Sequence, residues 1–330
     1  MKKKLPGLFI VLLISALSIA LGTYFLPFVE PLTIGIIIGI LYTNLLGTKN
    51  TMTDGIVFAY KKILKWGIVL LGLKLNFNII FQLGPKIILL ILTLISFALF
   101  FSYFIGRHFK LSSRLAVLLG VGSSVCGASA IVAMGPVINA DEDDITLSVA
   151  TISLLGTFGV LIFSTLAHII SLSDLQYGIW AGSSLQGVAH AIAAAGARGN
   201  DSVSFEIGLI VKMARVALLA PLAIILGTIF NKNSTSKKVT FPNYVLYFLL
   251  LGIVMSINHK FNLFPTVLLG HDLISLLSSL GNFFILMSMT AMGLRVDFKT
   301  FEKKAIYAVI TGSIVFISIS SISYILVHFL

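Results

Sequence analysis

The chain has 330 residues, 58% of them apolar and 11% charged, with a mean hydropathy of +1.05; these values exclude a soluble globular domain and point to an all-α polytopic membrane protein. The formal charge of +11 would suggest nucleic acid in a soluble protein, but its distribution along the chain has a membrane cause. One cysteine, Cys126, and scattered histidines exclude a disulfide framework and a Cys- or His-pair metal site, so no metal or cofactor is expected.

Apolar segments run over about 8–25, 31–46, 56–73, 85–105, 115–138, 145–170, 177–197, 204–230, 243–258, 274–294 and 305–329, most near the roughly 20 residues that a 30 Å core requires. They predict about eleven crossings within one transmembrane domain, 1–330, whose subdivisions are not contiguous in sequence. The segment Met1–Gly22, with three lysines before an apolar stretch, resembles a secretory leader but is long enough to be the first crossing. With a cytoplasmic amino terminus, the inward gaps hold 17 of the 23 basic residues, from Lys2, Lys3 and Lys4 to Arg295, Lys299, Lys303 and Lys304. That is the positive-inside distribution. It predicts a multi-pass membrane protein with a cytoplasmic amino terminus and its carboxyl terminus outside, in contact with the lipid bilayer and with no nucleic-acid partner; the acidic run Asp141–Asp144 falls on the outer side.

The fifth segment carries the motif GVGSSVCGASAIVAMGP, Gly120 to Pro136, which is too rich in glycine and serine for a plain lipid-facing helix. Its core, GSSVCGASAIVA at Gly122–Ala133, returns without a gap as GSSLQGVAHAIA at Gly182–Ala193. Paired, glycine-interrupted segments are the sequence mark of a secondary transporter's substrate site, because unwound backbone at membrane depth persists only where it lines a cavity. Two broken helices are therefore expected, with Ser123, Ser124, Gly127, Ser129, Ser183, Ser184, Gln186 and His190 about the substrate. A second repeat, Gly72–Phe77 against Gly293–Phe298, is 221 residues apart and lies in oppositely directed segments, which predicts an inverted repeat. The two repeats do not fit one scheme. Segments five and seven would run parallel, so either one broken element is re-entrant or the second half is assembled in a different order.

Acidic residues fall at segment ends, whereas Lys212 and Arg215 stand inside the eighth segment on one helical face. At 1.5 Å per residue Arg215 lies about 16 Å into that segment, near midplane. These two are expected to supply the positive charge of an anion site; the alternative is that one of them bonds to the C-terminal carbonyls of a broken helix. His190 replaces Ala130 in the internal alignment and is a candidate for gating proton-coupled transport, against a plain packing role. Neither a phosphate-binding loop nor a nucleophile with a base beside it is present, so an ATP-driven pump and an enzyme are not expected.

The runs GVGSSVCGASAIVAMGPVI, Asp141–Asp144, Tyr177–Ala197 and IVKMARVALLAP at Ile210–Pro221 together resemble the bacterial YeiH-type family, named for a proposed sulfate export, over nearly the whole chain. The pattern is also similar to the bile-acid symporter and sodium/proton antiporter superfamily, which implies a core domain that slides against a panel domain and allows a homodimer. This chain departs from the family in the seventh segment. Where a His-Glu pair is usual it has Gln186 and Gly187, with His190 further on, so a role for that carboxylate does not carry over. The expected function is secondary transport of a small inorganic or organic anion, sulfate- or sulfonate-like, by alternating access. A dianion that leaves a negative cytoplasm gains roughly 4–5 kcal/mol at 100 mV, so export needs no coupling ion. The competing readings are a sodium- or proton-coupled organic-anion symporter and a cation/proton antiporter.

Overall fold

The computed structural model describes residues 4–25, 29, 31–74, 84–199, 203–230, 243–261, 267–268, 271–295 and 298–330. The helices in chain order are α1 (Leu5–Tyr24), α2 (Pro31–Leu46), α3 (Asn50–Phe58), α4 (Leu64–Leu71), α5 (Pro85–His108), α6 (Ser113–Ser124), α7 (Ala128–Val137) and α8 (Glu142–Leu166). They continue as α9 (Asp174–Ser184), α10 (Val188–Ala195), α11 (Val203–Ala217), α12 (Leu219–Phe230), α13 (Asn243–Phe261), α14 (Leu273–Gly293) and α15 (Phe298–Val327). A π turn, Ala59–Ile63, joins α3 to α4, and two-residue strands β1 (Val267–Leu268) and β2 (His271–Asp272) pair antiparallel. Every other regular element among the described residues is helical. Among the described residues, six helical stretches are long and apolar enough to cross a membrane: Leu5–Tyr24, Pro85–His108, Glu142–Leu166, Val203–Phe230, Leu273–Gly293 and Lys304–Val327.

The chain forms two compact units, each assembled from separate stretches: Met1–Asn76 with Thr240–Lys303, and Phe77–Val239 with Lys304–Leu330. In the first unit small residues let helices approach to backbone contact. A Cβ added at Gly293 would stand 2.4 Å from Ile36 O, and one at Gly72 would stand 2.4 Å from Phe248 O. Hydroxyls tie the same helices, with Ser15 Oγ donating to Thr290 Oγ1 at 3.2 Å and Thr43 Oγ1 to Leu294 O at 2.6 Å. Of the Gly72–Phe77 and Gly293–Phe298 repeat, Leu75, Asn76, Phe77, Val296 and Asp297 lie outside the described residues.

The second unit is organised along α8, and it corrects the crossing count. Arg114 Nε, at the start of the fifth apolar segment, donates to Ile138 O at its end, 3.1 Å away. Ser112, which caps α6, also donates to Asp144 in the first turn of α8. Segment 115–138 is therefore a hairpin, α6 in and α7 back, and not a crossing. The seventh segment does the same: Tyr177 Oη lies 3.0 Å from Ala194 O, and Arg198 Nη1 pairs with Asp174 Oδ1 at 3.0 Å. The hairpins enter from opposite ends of α8. The first opens beside Asp144, and the second beside Phe163, whose carbonyl is 2.9 Å from Tyr177 Oη. A count of eleven makes both segments cross, with one re-entrant break as the alternative, and puts the acidic run on the side away from Arg107 and Arg114. It lies instead on their side, because the chain between Arg114 and Asp141 comes back to where it starts.

Each arm is short. At 1.5 Å per residue the 12 residues of α6 and the 11 of α9 extend about 18 and 16 Å, roughly half of a 30 Å core. The two tips therefore meet in the middle.

Candidate functional site

The tips touch through glycine. Gly127 is the N-cap of α7 with φ +72° and ψ −133°, a conformation open to glycine because it has no Cβ. A Cβ added there would lie 3.2 Å from both Gly187 Cα and Gly187 N. Gly187 is the N-cap of α10, so the two breaks are in backbone contact. Four half-helix ends converge at this point: the C-termini of α6 and α9 and the N-termini of α7 and α10.

Helix C-termini leave carbonyls without intrahelical partners, and burial makes that costly. Two cations from α11 serve them. Arg215 is 1% exposed, and it spreads its guanidinium over both hairpins. Nε donates to Ser124 O at 2.6 Å and Nη2 to Ser123 O at 2.8 Å, while Nη1 reaches Gly182 O at 3.0 Å and Leu185 O at 3.3 Å. Lys212 is fully buried and donates through Nζ to Leu185 O at 2.6 Å. The packing that holds α11 here is built from small residues: a Cβ added at Gly182 would stand 2.6 Å from Gly208 O, and Ser204 Oγ donates to Ala195 O at 2.8 Å. Carbonyl bonding, the alternative weighed from sequence for one cation, is the observed geometry for both.

The remaining candidates divide by what they touch. Ser123 Oγ, Ser184 Oγ and both amide atoms of Gln186 are buried with no hydrogen-bond partner among the described residues. Ser124 turns its hydroxyl back to Val121 O at 3.5 Å. Ser183 is engaged elsewhere, with its Oγ 2.6 Å from Ser323 Oγ on α15. Ser129, in the first turn of α7, donates to Cys126 Sγ at 2.9 Å. His190 is 3% exposed in the first turn of α10 and packs on α8, where a Cβ added at Gly156 would fall 2.2 Å from its Nδ1.

The contact between Gly156 and the His190 ring gives a direct test. Gly156→Ala should lower the melting temperature of the detergent-solubilised protein by several degrees, because the new methyl group overlaps a buried ring. His190→Ala in the same chain should restore most of that loss. If the double variant melts as low as Gly156→Ala alone, the imidazole is not what the methyl group meets.

Sequence reasoning missed the residues that hold the second hairpin at its mouth. Arg198 donates to Ala167 O at 2.7 Å, Leu172 O at 2.7 Å and Ile170 O at 3.1 Å in addition to its Asp174 pair, thereby binding the C-terminal end of α8. Its guanidinium carbon also lies 4.4 Å from the Tyr177 ring centroid. Trp180 Nε1 donates to Ser320 O at 2.9 Å, tying α9 to α15. The signal for Arg198 was an arginine in a gap expected to hold few basic residues, with Asp174 at the other end of the same segment.

The carboxylates are elsewhere. Among the described residues Asp144 is the one buried acid, and it stands twelve residues before Gly156 on α8, about 18 Å along the helix from the level of His190. Glu206, the acid nearest Lys212 in sequence, is exposed.

Comparison with known proteins places these features in a family. The family model described as conserved hypothetical protein 698 matches residues 6–312. A UPF0324 membrane protein of Bacillus cereus is 35% identical over 325 residues, covering 98% of this chain and 90% of the relative. A UPF0324 membrane protein of Staphylococcus aureus is 36% identical over 327 residues, covering 98% of this chain and 95% of the relative. The YeiH-type resemblance is consistent with these matches.

Proposed function

The chain belongs to the conserved hypothetical protein 698 family of multi-pass membrane proteins, and from that premise we propose that it is a secondary transporter of a small anion. One observation carries the reading: the two re-entrant tips meet around Lys212 and Arg215, with no carboxylate at the crossing among the described residues. The charge balance follows from the helix ends. Two N-termini contribute about +0.5 each and two C-termini about −0.5 each, so the dipoles cancel and the two cations leave a net charge of about +2. A low-dielectric interior holds such charge only against an opposite one. A small dianion, sulfate- or sulfonate-like in size, matches it.

In this reading the cations act from behind. Their hydrogens are turned to the carbonyls, so they set the field and fix the tips, while the ligand is held by Ser123, Ser184 and Gln186. The site lies in one unit, and alternating access carries that unit as a body past a second element. The expected setting is a bacterial cytoplasmic membrane with the amino terminus inside and the carboxyl terminus outside.

The test is flux into and out of proteoliposomes reconstituted with the full chain. Saturable movement of sulfate or an alkyl sulfonate, driven by membrane potential and indifferent to sodium and proton gradients, is the expected result. Flux that requires a sodium or proton gradient would replace this reading with a coupled symporter. Sodium or proton exchange without anion movement would return the cation antiporter.

A further inference from the structure

We infer that the anion held at the paired tips carries a hydrogen-bond donor of its own as well as acceptor oxygens, and that Gln186 reads that donor. The inference rests on the anion-site reading above and narrows it. Gln186 is 0% exposed, in the break between α9 and α10, one residue before the N-cap Gly187. Neither its Oε1 nor its Nε2 has a hydrogen-bond partner among the described residues, and the same holds for Ser123 Oγ and Ser184 Oγ. These groups therefore do not satisfy one another.

Their chemistry is unequal. The Nε2 group donates, Oε1 accepts, and a serine hydroxyl does either. Arg215 and Lys212 set a positive field from behind, with their hydrogens on the carbonyls. A fully deprotonated oxoanion such as sulfate accepts from Nε2 and from the serine hydroxyls, but it offers nothing to Oε1. That oxygen would then be left buried and unpaired, facing another oxygen. An oxoanion with an O–H or N–H, such as hydrogen phosphate or a hydroxyalkyl sulfonate, satisfies both sides of the amide.

The internal repeat sharpens the point. Gln186 occupies the position that Cys126 holds in the first hairpin, and Cys126 Sγ accepts from Ser129 of its own hairpin. At the aligned positions the Cys126 thiol has a partner within its hairpin, and the Gln186 amide has none among the described residues.

The experiment compares anions matched in shape and charge that differ by a donor, using the full chain in lipid nanodiscs and isothermal titration. The probe pairs are hydrogen phosphate against sulfate and 2-hydroxyethanesulfonate against ethanesulfonate. Each donor-bearing member should bind at least about tenfold more tightly than its mate, because the mate leaves a buried acceptor unpaired. In Gln186→Met, which keeps length and loses both polar atoms, the ratio within each pair should fall to about one. Sulfate and ethanesulfonate binding as tightly as their mates would overturn the donor inference and leave the anion reading standing. A preference that survives in Gln186→Met would overturn the assignment to Gln186. If none of the four anions binds, both the inference and the anion reading fall. The comparison within each pair uses the wild-type chain, so it stands even if the variant does not fold.

Discussion

Arg215→Met is expected to destabilise the protein by about 3–5 kcal/mol, the range for removing one partner of a buried charged network. Four carbonyls from two hairpins share this one guanidinium, and methionine offers them nothing. The surrounding structure has little room to adapt, because Ser123, Ser124, Gly182 and Leu185 are all buried. Thermal unfolding of the solubilised chain reads the loss. Arg215→Lys should recover only part of it, since a single ammonium cannot span bonds that leave the guanidinium in several directions. A variant that melts like the wild type would remove Arg215 from the role of brace. If stability holds while anion affinity falls, the side chain contacts the ligand directly and not through the carbonyls.

The position of Arg215 shows how much was legible in the sequence. Its depth and its shared face with Lys212 follow from helical spacing, and the duplicated GSS motifs mark where the breaks lie. Broken-helix carbonyls are one reading of its partners, but which carbonyls it meets, and that both hairpins supply them, does not follow, because a carbonyl has no letter in the sequence. The same limit explains the crossings. A hairpin of 12 and 10 residues has the length of one 24-residue span, and hydropathy measures length without direction. Charge parity was no help either. Two re-entrant segments each remove one crossing, so the basic gaps beyond the second hairpin keep their sides and only the stretch between the hairpins changes. The acidic run Asp141–Asp144 lies in that stretch, and the hydrogen bond from Ser112 to Asp144 reveals the change. The disagreement between the two internal repeats was the trace of this in the sequence: copies taken to be parallel are hairpins entering from opposite ends of α8.

Gly127→Ala is expected to abolish anion flux and to cost stability, whereas Gly187→Ala should be the milder change. Sequence alone treats the two as equivalent, since each opens the second half of its repeat. The backbone separates them. Gly187 has φ −76° and ψ 154°, angles that any residue adopts, but Gly127 has φ +72° and ψ −133°. A non-glycine residue held in such a region costs about 1–3 kcal/mol in strain. The added methyl group at Gly127 also has a fixed neighbour, for it would press at 3.2 Å on the Gly187 backbone and at 3.4 Å on the Gln186 carbonyl carbon. Backbone cannot rotate away as a side chain can, so the second tip must shift and carry Gln186 with it. Function should therefore fail further than stability. Flux in proteoliposomes and melting of the same preparations measure the two effects separately. Equal losses in Gly127→Ala and Gly187→Ala would show that strain at Gly127 is not the cause. Normal flux in Gly127→Ala would mean that the tip contact does not shape the site.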